Sequence, residues 1–215
     1  MAELTAADLK AILNRIADIM TEKKEELIRL DGAVGDGDLG LTMEKAFAAA
    51  REEAAKLEEP DVGKLSVKLG AVIARSAPST MGTLVATGFM SGGKAVSGKQ
   101  ALGLPEIAAF FEAFTAGIMQ RGKAKLGEKT PLDVLYPAAE ALKQAAAEGA
   151  GLEEGFRRCR QAAARGLEAS RDMVAQHGRV AYYQEQSRGK EDPGSVAAFL
   201  ILSGFCDHFS GPPAA

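Results

Sequence analysis

Three carboxylates crowd into the stretch Asp31-Gly-Ala-Val-Gly-Asp36-Gly-Asp38-Leu-Gly40. Acids this close repel one another unless a cation neutralises them. The glycines between them let the backbone turn sharply enough for the side chains to converge on one point. An all-oxygen ligand set suits a hard divalent cation, and magnesium keeps few carboxylates and takes substrate phosphates as well. A helix expected directly after Gly40 would aim its free N–H groups and its dipole at an incoming phosphate. The plain alternative is a solvated acidic turn between two helices.

Other readings of this loop fail. Gly35-x-Gly37-x-x-Gly40 spells the dinucleotide fingerprint, but that motif needs a strand before it and bare glycines facing the pyrophosphate. Here a helix is expected before it, and aspartates fill the intervening sites. The twelfth residue counted from Asp36 is Phe47, not the Glu of an EF-hand. No Gly-Lys pair is followed by Ser or Thr, so there is no P-loop.

Three further stretches are candidate companions. Ser79-Thr80-Met81-Gly82-Thr83 follows Pro78 at an expected helix start, either as an ordinary Ser cap or as a phosphate-facing turn. Arg121-Gly122-Lys123-Ala124-Lys125-Leu126-Gly127-Glu128-Lys129-Thr130-Pro131 is the densest basic link. It reads as a solvated charge run or as a flexible cationic loop reaching a polyphosphate. Asp133 beyond it is most simply an acid near a helix N-terminus. Gly178-Arg179 and Asp192-Pro193-Gly194-Ser195 flank the last connection, and Asp before Pro is a strong helix-start signal in its own right. His177 and His208 lack metal-ligand spacing and read as structural. No Ser–His or Cys–His set supports nucleophilic catalysis.

The elements that position these residues read as helices. Ala is abundant, Trp is absent and aromatics make up 6% of the 215 residues, which favours closely packed helices over sheets. Thr5 with Asp8 forms an acidic capping box, after which Leu9, Ile12, Leu13, Ile16, Ile19 and Met20 line one face. Leu27 and Leu30 prolong that stripe, predicting one helix of about seven turns up to the acidic loop. Further helices are predicted over 41–57, 62–77, from 80 until it dissolves at Ser91-Gly92-Gly93, 105–122, 131–149, 152–177 and 192–208. Val180 to Tyr183 is too short to carry a sheet. The expectation is an all-α fold, an eight-helix antiparallel up-and-down bundle or barrel. It would form a single domain over 1–210 with a loose tail over 211–215.

Composition narrows the function classes. Net charge is −3, so neither nucleic acid nor an anionic membrane is an expected partner. No apolar run approaches the ~20 residues that span a bilayer, and the N-terminal residues lack signal-peptide character. Cys159 and Cys206, the two cysteines, read as buried thiols of a reducing compartment, so a cytoplasmic location is expected.

Together, the spacing of Asp31, Gly35-Asp36-Gly37-Asp38-Leu39-Gly40, the basic link, Gly178-Arg179 and Asp192-Pro193-Gly194 resembles the nucleotide-binding L subunit or domain of the dihydroxyacetone kinase family, over nearly the whole chain. The resemblance implies a helical barrel with ADP or ATP at one end. It implies that Asp31, Asp36 and Asp38 hold two magnesium ions bridging the phosphates, as ligands and not as catalytic bases. By the same matching, Leu39, Gly40, Leu41 and Thr42 lie along the phosphates, with Thr80 and Met81 on a second phosphate-side loop. Gly122 and Pro131 border the nucleotide, while Arg179 and the Asp192-Pro193-Gly194 turn close its adenosine side. Leu39, Thr42, Met81 and Pro131 depart from the residues common at those places in the family. The resemblance also implies a separate K-type subunit that binds the sugar, without which this chain has no kinase activity. It leaves two phosphoryl donors open, ATP or a phosphotransferase-system protein. A reading of another class is a non-catalytic, nucleotide-bound regulatory or interaction module.

Overall fold

Helices begin where the sequence supplies caps. In the computed structural model, which describes residues 2–212, the Thr5 hydroxyl accepts from the Asp8 N–H and the Asp8 carboxylate accepts from the Thr5 N–H, starting α1 (Ala6–Glu22). Asp61, Ser79 and Asp192 cap α4 (Val62–Ser76), α5 (Thr80–Ala95) and α9 (Pro193–Ser210) in the same way. The remaining α-helices are α2 (Lys24–Gly32), α3 (Leu39–Lys56), α6 (Leu104–Gly122), α7 (Leu132–Ala147) and α8 (Leu152–Ser170). Among the described residues the sheet content is one antiparallel pairing, Leu4–Thr5 (β1) with Ala101–Leu102 (β2). Of the tail expected to be loose, residues 213–215 lie outside the described residues.

The packing order is a closed ring. From α3 onward each helix packs on the next in sequence, and α1 packs on both α3 and α9. Eight helices therefore enclose one core, as the apolar stripes require. The centre is aromatic: Phe89 meets Phe47 and Phe114 edge-on, and Phe111 meets Phe205 and Phe156 edge-on. Such pairs add about 0.5–1.5 kcal/mol each beyond the area they bury. Cys159 and Cys206 are both buried and free.

Four boundaries differ from expectation, each for a tertiary reason. The first helix is not continuous; it breaks at Lys23, making α2 the ninth α-helix among the described residues, outside the ring of eight. The Lys24 carbonyl just past the break is where Gly40 comes so close that a side chain would collide with it. The helix from Thr80 does not dissolve at Gly92-Gly93 but continues to Ala95. Those glycines are contact points: a Cβ on Gly92 would lie 2.9 Å from the Phe110 ring, and one on Gly93 would lie 2.5 Å from the Gly63 carbonyl. Helix α8 ends at Ser170 rather than His177: the next three N–H groups bond three residues back, and the Arg171 and Met173 carbonyls accept from the Lys129 ammonium, the former also from the Gly189 N–H. Gly178 accordingly follows no helix; it precedes a 3-10 segment, Arg179–Ser187, interrupted at Gln184, that includes Val180 to Tyr183.

Alternation around the ring sorts the connections. The links after α2, α4, α6 and α8 emerge at one end, and all four line a common cavity there. The links after α3 and α5 meet at the other end. There the Asp61 carboxylate accepts from the Gly98 N–H, and Val62 N–H donates to the Lys99 carbonyl, beside the β1–β2 pairing.

Candidate functional site

The cavity at the open end has a volume of about 550 Å³. That is within the usual range of small-molecule sites, ~300–1,000 Å³. Its acidic wall comes from the link between α2 and α3. Gly37 adopts φ +73°, a left-handed turn that glycine takes without strain, and Gly35 sits where a Cβ would lie 2.8 Å from Asp31 Oδ1. These turns fold the loop back on itself, so that one oxygen from each of Asp31, Asp36 and Asp38 lies within 4.8 Å of the others.

The electrostatics of this wall favour a cation. Burial, then the charges of Asp36 and Asp31, push the Asp38 carboxyl above its ordinary range, and Arg179 pulls the other way. Arg179 Nη2 lies 2.6 Å from Asp36 Oδ2, while Asp31 Oδ2 accepts from the Leu39 N–H at 3.2 Å. Three carboxylates thus share one close guanidinium. An all-carboxylate set this compact, open to the cavity, fits a hard divalent cation that completes its shell with water or phosphate oxygens.

The rest of the wall is assembled from the other three links. Thr80 and Met81 open α5, where the Ser79 hydroxyl accepts from the Gly82 N–H at 3.0 Å. Gly122 and Pro131 bracket the basic link. Pro193 and Gly194 begin α9 beside Asp192, whose carboxylate accepts from the Ser195 N–H at 2.7 Å and the Ser195 hydroxyl at 2.8 Å. Burial pushes the Asp192 carboxyl up to about 6, with Asp133 adding to the rise, while the Ser195 bonds and the Lys129 charge restrain it.

The cavity therefore gathers Asp31, Asp36, Asp38, Leu39, Thr80, Met81, Gly122, Pro131, Arg179, Asp192, Pro193 and Gly194. It does not gather Gly40, Leu41 or Thr42. Gly40 is buried against α2, Leu41 is 52% exposed, and the Thr42 N–H donates to the Asp38 carbonyl. Arg179, expected on the adenosine side, lines the same cavity as the Asp192 turn and pairs by opposite charge with Asp36 of the acidic trio.

The basic link, read either as a solvated charge run or as a flexible cationic loop, is tied down over its second half. The Asp133 carboxylate accepts from the Gly127 N–H at 2.6 Å and the Thr130 N–H at 2.8 Å, which folds the link onto the first turn of α7. Lys129 points inward, buried, and its pKa is lowered by that burial. His177, read as structural, meets the Glu128 carboxylate at 2.7 Å and lines the cavity, as do Val34 and Val180, which pack together with Ala175. Sequence reasoning missed Glu128 and Lys129 as organisers of the site; a charged residue next to a turn glycine was the one local signal.

Comparison with known proteins follows the same lines. The DAK2 domain family matches residues 33–207. The chain is 30% identical over 190 residues to the ADP-binding subunit of the PEP-dependent dihydroxyacetone kinase of Escherichia coli, covering 88% of this chain and 90% of that one. It is 29% identical over 192 residues to human triokinase/FMN cyclase, covering 89% of this chain but 33% of that protein. Among solved structures, the dihydroxyacetone kinase from C. freundii in complex with AMP-PNP and Mg2+ superposes with a TM-score of 0.68 at 21% identity, over 96% of this chain and 35% of that chain. At that identity the superposition shows the shared fold. Among the described residues no helix is long and apolar enough to cross a membrane.

Proposed function

This chain belongs to the DAK2 domain family, and from that premise we propose that it is the nucleotide-binding, phosphoryl-transfer subunit of a dihydroxyacetone (glycerone) kinase or closely related small-ketose kinase. The observation that carries the reading is the convergence of Asp31, Asp36 and Asp38 within 4.8 Å on the rim of a cavity of about 550 Å³. The 30% identity to an ADP-binding subunit that is matched over 90% of its length supports it.

In this reading ADP or ATP occupies the cavity with its phosphates toward the acidic wall. Asp31, Asp36 and Asp38 would hold magnesium, two ions by the family resemblance, and the metal supplies charge neutralisation for the phosphate oxygens. The aspartates act as ligands and orienters; phosphoryl transfer asks the protein mainly for positioning and electrostatic stabilisation. Arg179 adds a guanidinium suited to phosphate oxygens on the same side. Thr80 and Met81, with the start of α5, form the second phosphate-side wall. Gly122, Pro131, Pro193 and Gly194 have small or rigid side chains and leave room for a flat nucleoside.

The sugar site belongs to a separate K-type subunit, so this chain alone does not turn over ketose. The phosphoryl donor is ATP, exchanged each cycle, or a phosphotransferase-system protein that recharges bound ADP. A donor assay distinguishes them.

Calorimetry of ADP with and without Mg2+ tests the binding step, repeated with Asp36→Ala. The expected result is micromolar or tighter binding that needs Mg2+ and is lost in the variant. Equal binding by both proteins, with or without the ion, refutes the assignment. Transfer to dihydroxyacetone only when a K-type subunit is added tests the division of labour; turnover by the chain alone overturns it.

A further inference from the structure

Lys129 carries a charge into the interior at the edge of the cavity. It is 1% exposed, and its ammonium donates to three backbone carbonyls: Arg171 at 2.9 Å, Met173 at 3.3 Å and Ser187 at 2.8 Å. Its backbone sits at φ 59°, a left-handed conformation that a residue with a side chain keeps only when its surroundings enforce it.

The three carbonyls lie at the two ends of one segment. Arg171 and Met173 follow α8, and Ser187 ends the 3-10 turn. The ammonium thus joins both ends of the loop, alongside the Gly189 N–H that donates to the Arg171 carbonyl at 2.7 Å, and Arg179 lies between them. Adjacent contacts reinforce the clasp. The Glu128 carbonyl accepts from the Gln176 N–H at 3.1 Å, and Ala175 N–H donates to the Ser187 hydroxyl at 3.0 Å. The clasp is anchored in turn by Asp133, through the Gly127 and Thr130 N–H groups. A continuous run of contacts therefore leads from the first turn of α7, through Lys129, to the segment that sets Arg179 2.6 Å from Asp36.

We propose that Lys129 is a positioning residue for the polyphosphate site: by drawing both ends of the 171–189 segment onto one ammonium, it fixes where the Arg179 guanidinium stands against the acidic trio, and so how tightly Mg-ADP is held. This rests on the nucleotide reading above. Lys129 itself needs no contact with the ligand. Without its ammonium, the Met173 carbonyl loses its donor, and the Arg171 and Ser187 carbonyls keep only the Gly189 and Lys190 N–H groups, so the segment is held by fewer bonds and opens more readily to water.

A double-mutant cycle on the full chain tests this, with Lys129→Met, Arg179→Ala and the pair measured by calorimetry with Mg-ADP. Each single variant is expected to weaken binding about tenfold, and the pair no more than about twofold beyond Arg179→Ala alone, since coupled residues lose the same interaction once. Titration with Mg2+ alone should show no loss in Lys129→Met, because the trio stands on another link; general unfolding would weaken both ligands. Losses that multiply in the pair, or a Lys129→Met protein that binds Mg-ADP like the parent, overturn the proposal. If Lys129→Met does not fold, Ser187→Ala, which loosens the same clasp and keeps the lysine, goes through the same cycle with the same deciding outcomes. If the parent chain does not bind Mg-ADP, the nucleotide reading fails, and hydrogen exchange then decides the clasp separately. Lys129→Met, or Ser187→Ala in its place, should raise amide exchange over 174–188 about tenfold and leave α1 and α5 unchanged; no rise overturns it.

Discussion

Arg179 sets its guanidinium 2.6 Å from the Asp36 carboxylate, although the two residues come from links near opposite ends of the chain. The guanidinium neutralises part of a wall that a divalent cation would otherwise neutralise alone, so the two compete for the same oxygens. A pair this exposed is worth at most about 1 kcal/mol, or about fivefold in a binding constant. Arg179→Ala should therefore bind Mg2+ alone more tightly, by up to about fivefold, at low salt, with the gain shrinking as ionic strength rises. Calorimetry without nucleotide reads this directly, and a weaker affinity would show that the arginine is not a competitor.

Asp192 gives the fold a pH dependence of known sign. The folded chain raises its carboxyl from 3.8 to about 6, so it holds the proton more tightly than the unfolded chain does. Its contribution to stability is complete below about pH 4 and is lost as pH rises through about 6. Carboxylates held low, such as Asp61, act in the opposite sense at lower pH, so the difference between two proteins isolates Asp192. Asp192→Asn keeps an acceptor for the Ser195 N–H. Melting temperature against pH should fall less steeply in this variant than in the parent between about pH 4 and about pH 6. Parallel curves would place the titration elsewhere.

Gly40→Ala should cost stability and metal affinity together. The added methyl meets the Lys24 carbonyl and would lie 2.8 Å from Ile28 Cγ1, and backbone cannot move aside as a side-chain tip can. Overpacking of this kind costs about 1–3 kcal/mol, offset by up to about 1 kcal/mol from the better helix propensity of Ala. Urea unfolding should show a net loss of about 1–2 kcal/mol. Mg2+ affinity should drop severalfold, because α3 carries Leu39, whose N–H bonds Asp31. A variant as stable as its parent would mean that α2 and α3 can part without cost.

Asp133→Ala removes the acceptor of two backbone N–H groups in the basic link. The expected loss is about 2–3 kcal/mol in unfolding free energy, with Asp133→Asn losing about half of that. Proteolysis should find a new cleavage site near Lys125 in the alanine protein. Full resistance there would show that the link is held by other contacts.

What was legible in the sequence was local, and what was hidden was not. The Thr5–Asp8 box, the Asp192-Pro193 start and the convergence of Asp31, Asp36 and Asp38 follow from spacing within one or two turns, and the eight ring helices follow from their apolar periods. The break at Lys23 leaves no mark in the sequence, and the residue that packs closely just past it, Gly40, comes from the next helix. Gly92 and Gly93 look like breakers until Phe110 and Gly63 are seen against them. Lys129 looks like one solvated cation among several, since its three acceptors lie 42 to 58 residues away. The apparent seven-residue extension of α8 to His177 is apolar enough to be helical, yet the carbonyls that would continue it serve the lysine instead.

His208 at the close of α9 lies 3.0 Å from Asp8 in the first turn of α1. Entry and exit of the barrel are therefore neighbours, on the face away from the cavity. Any polypeptide joined before Leu4 or after Gly211 starts its path behind the ligand mouth, so a fused module can be long or short without being forced across the opening.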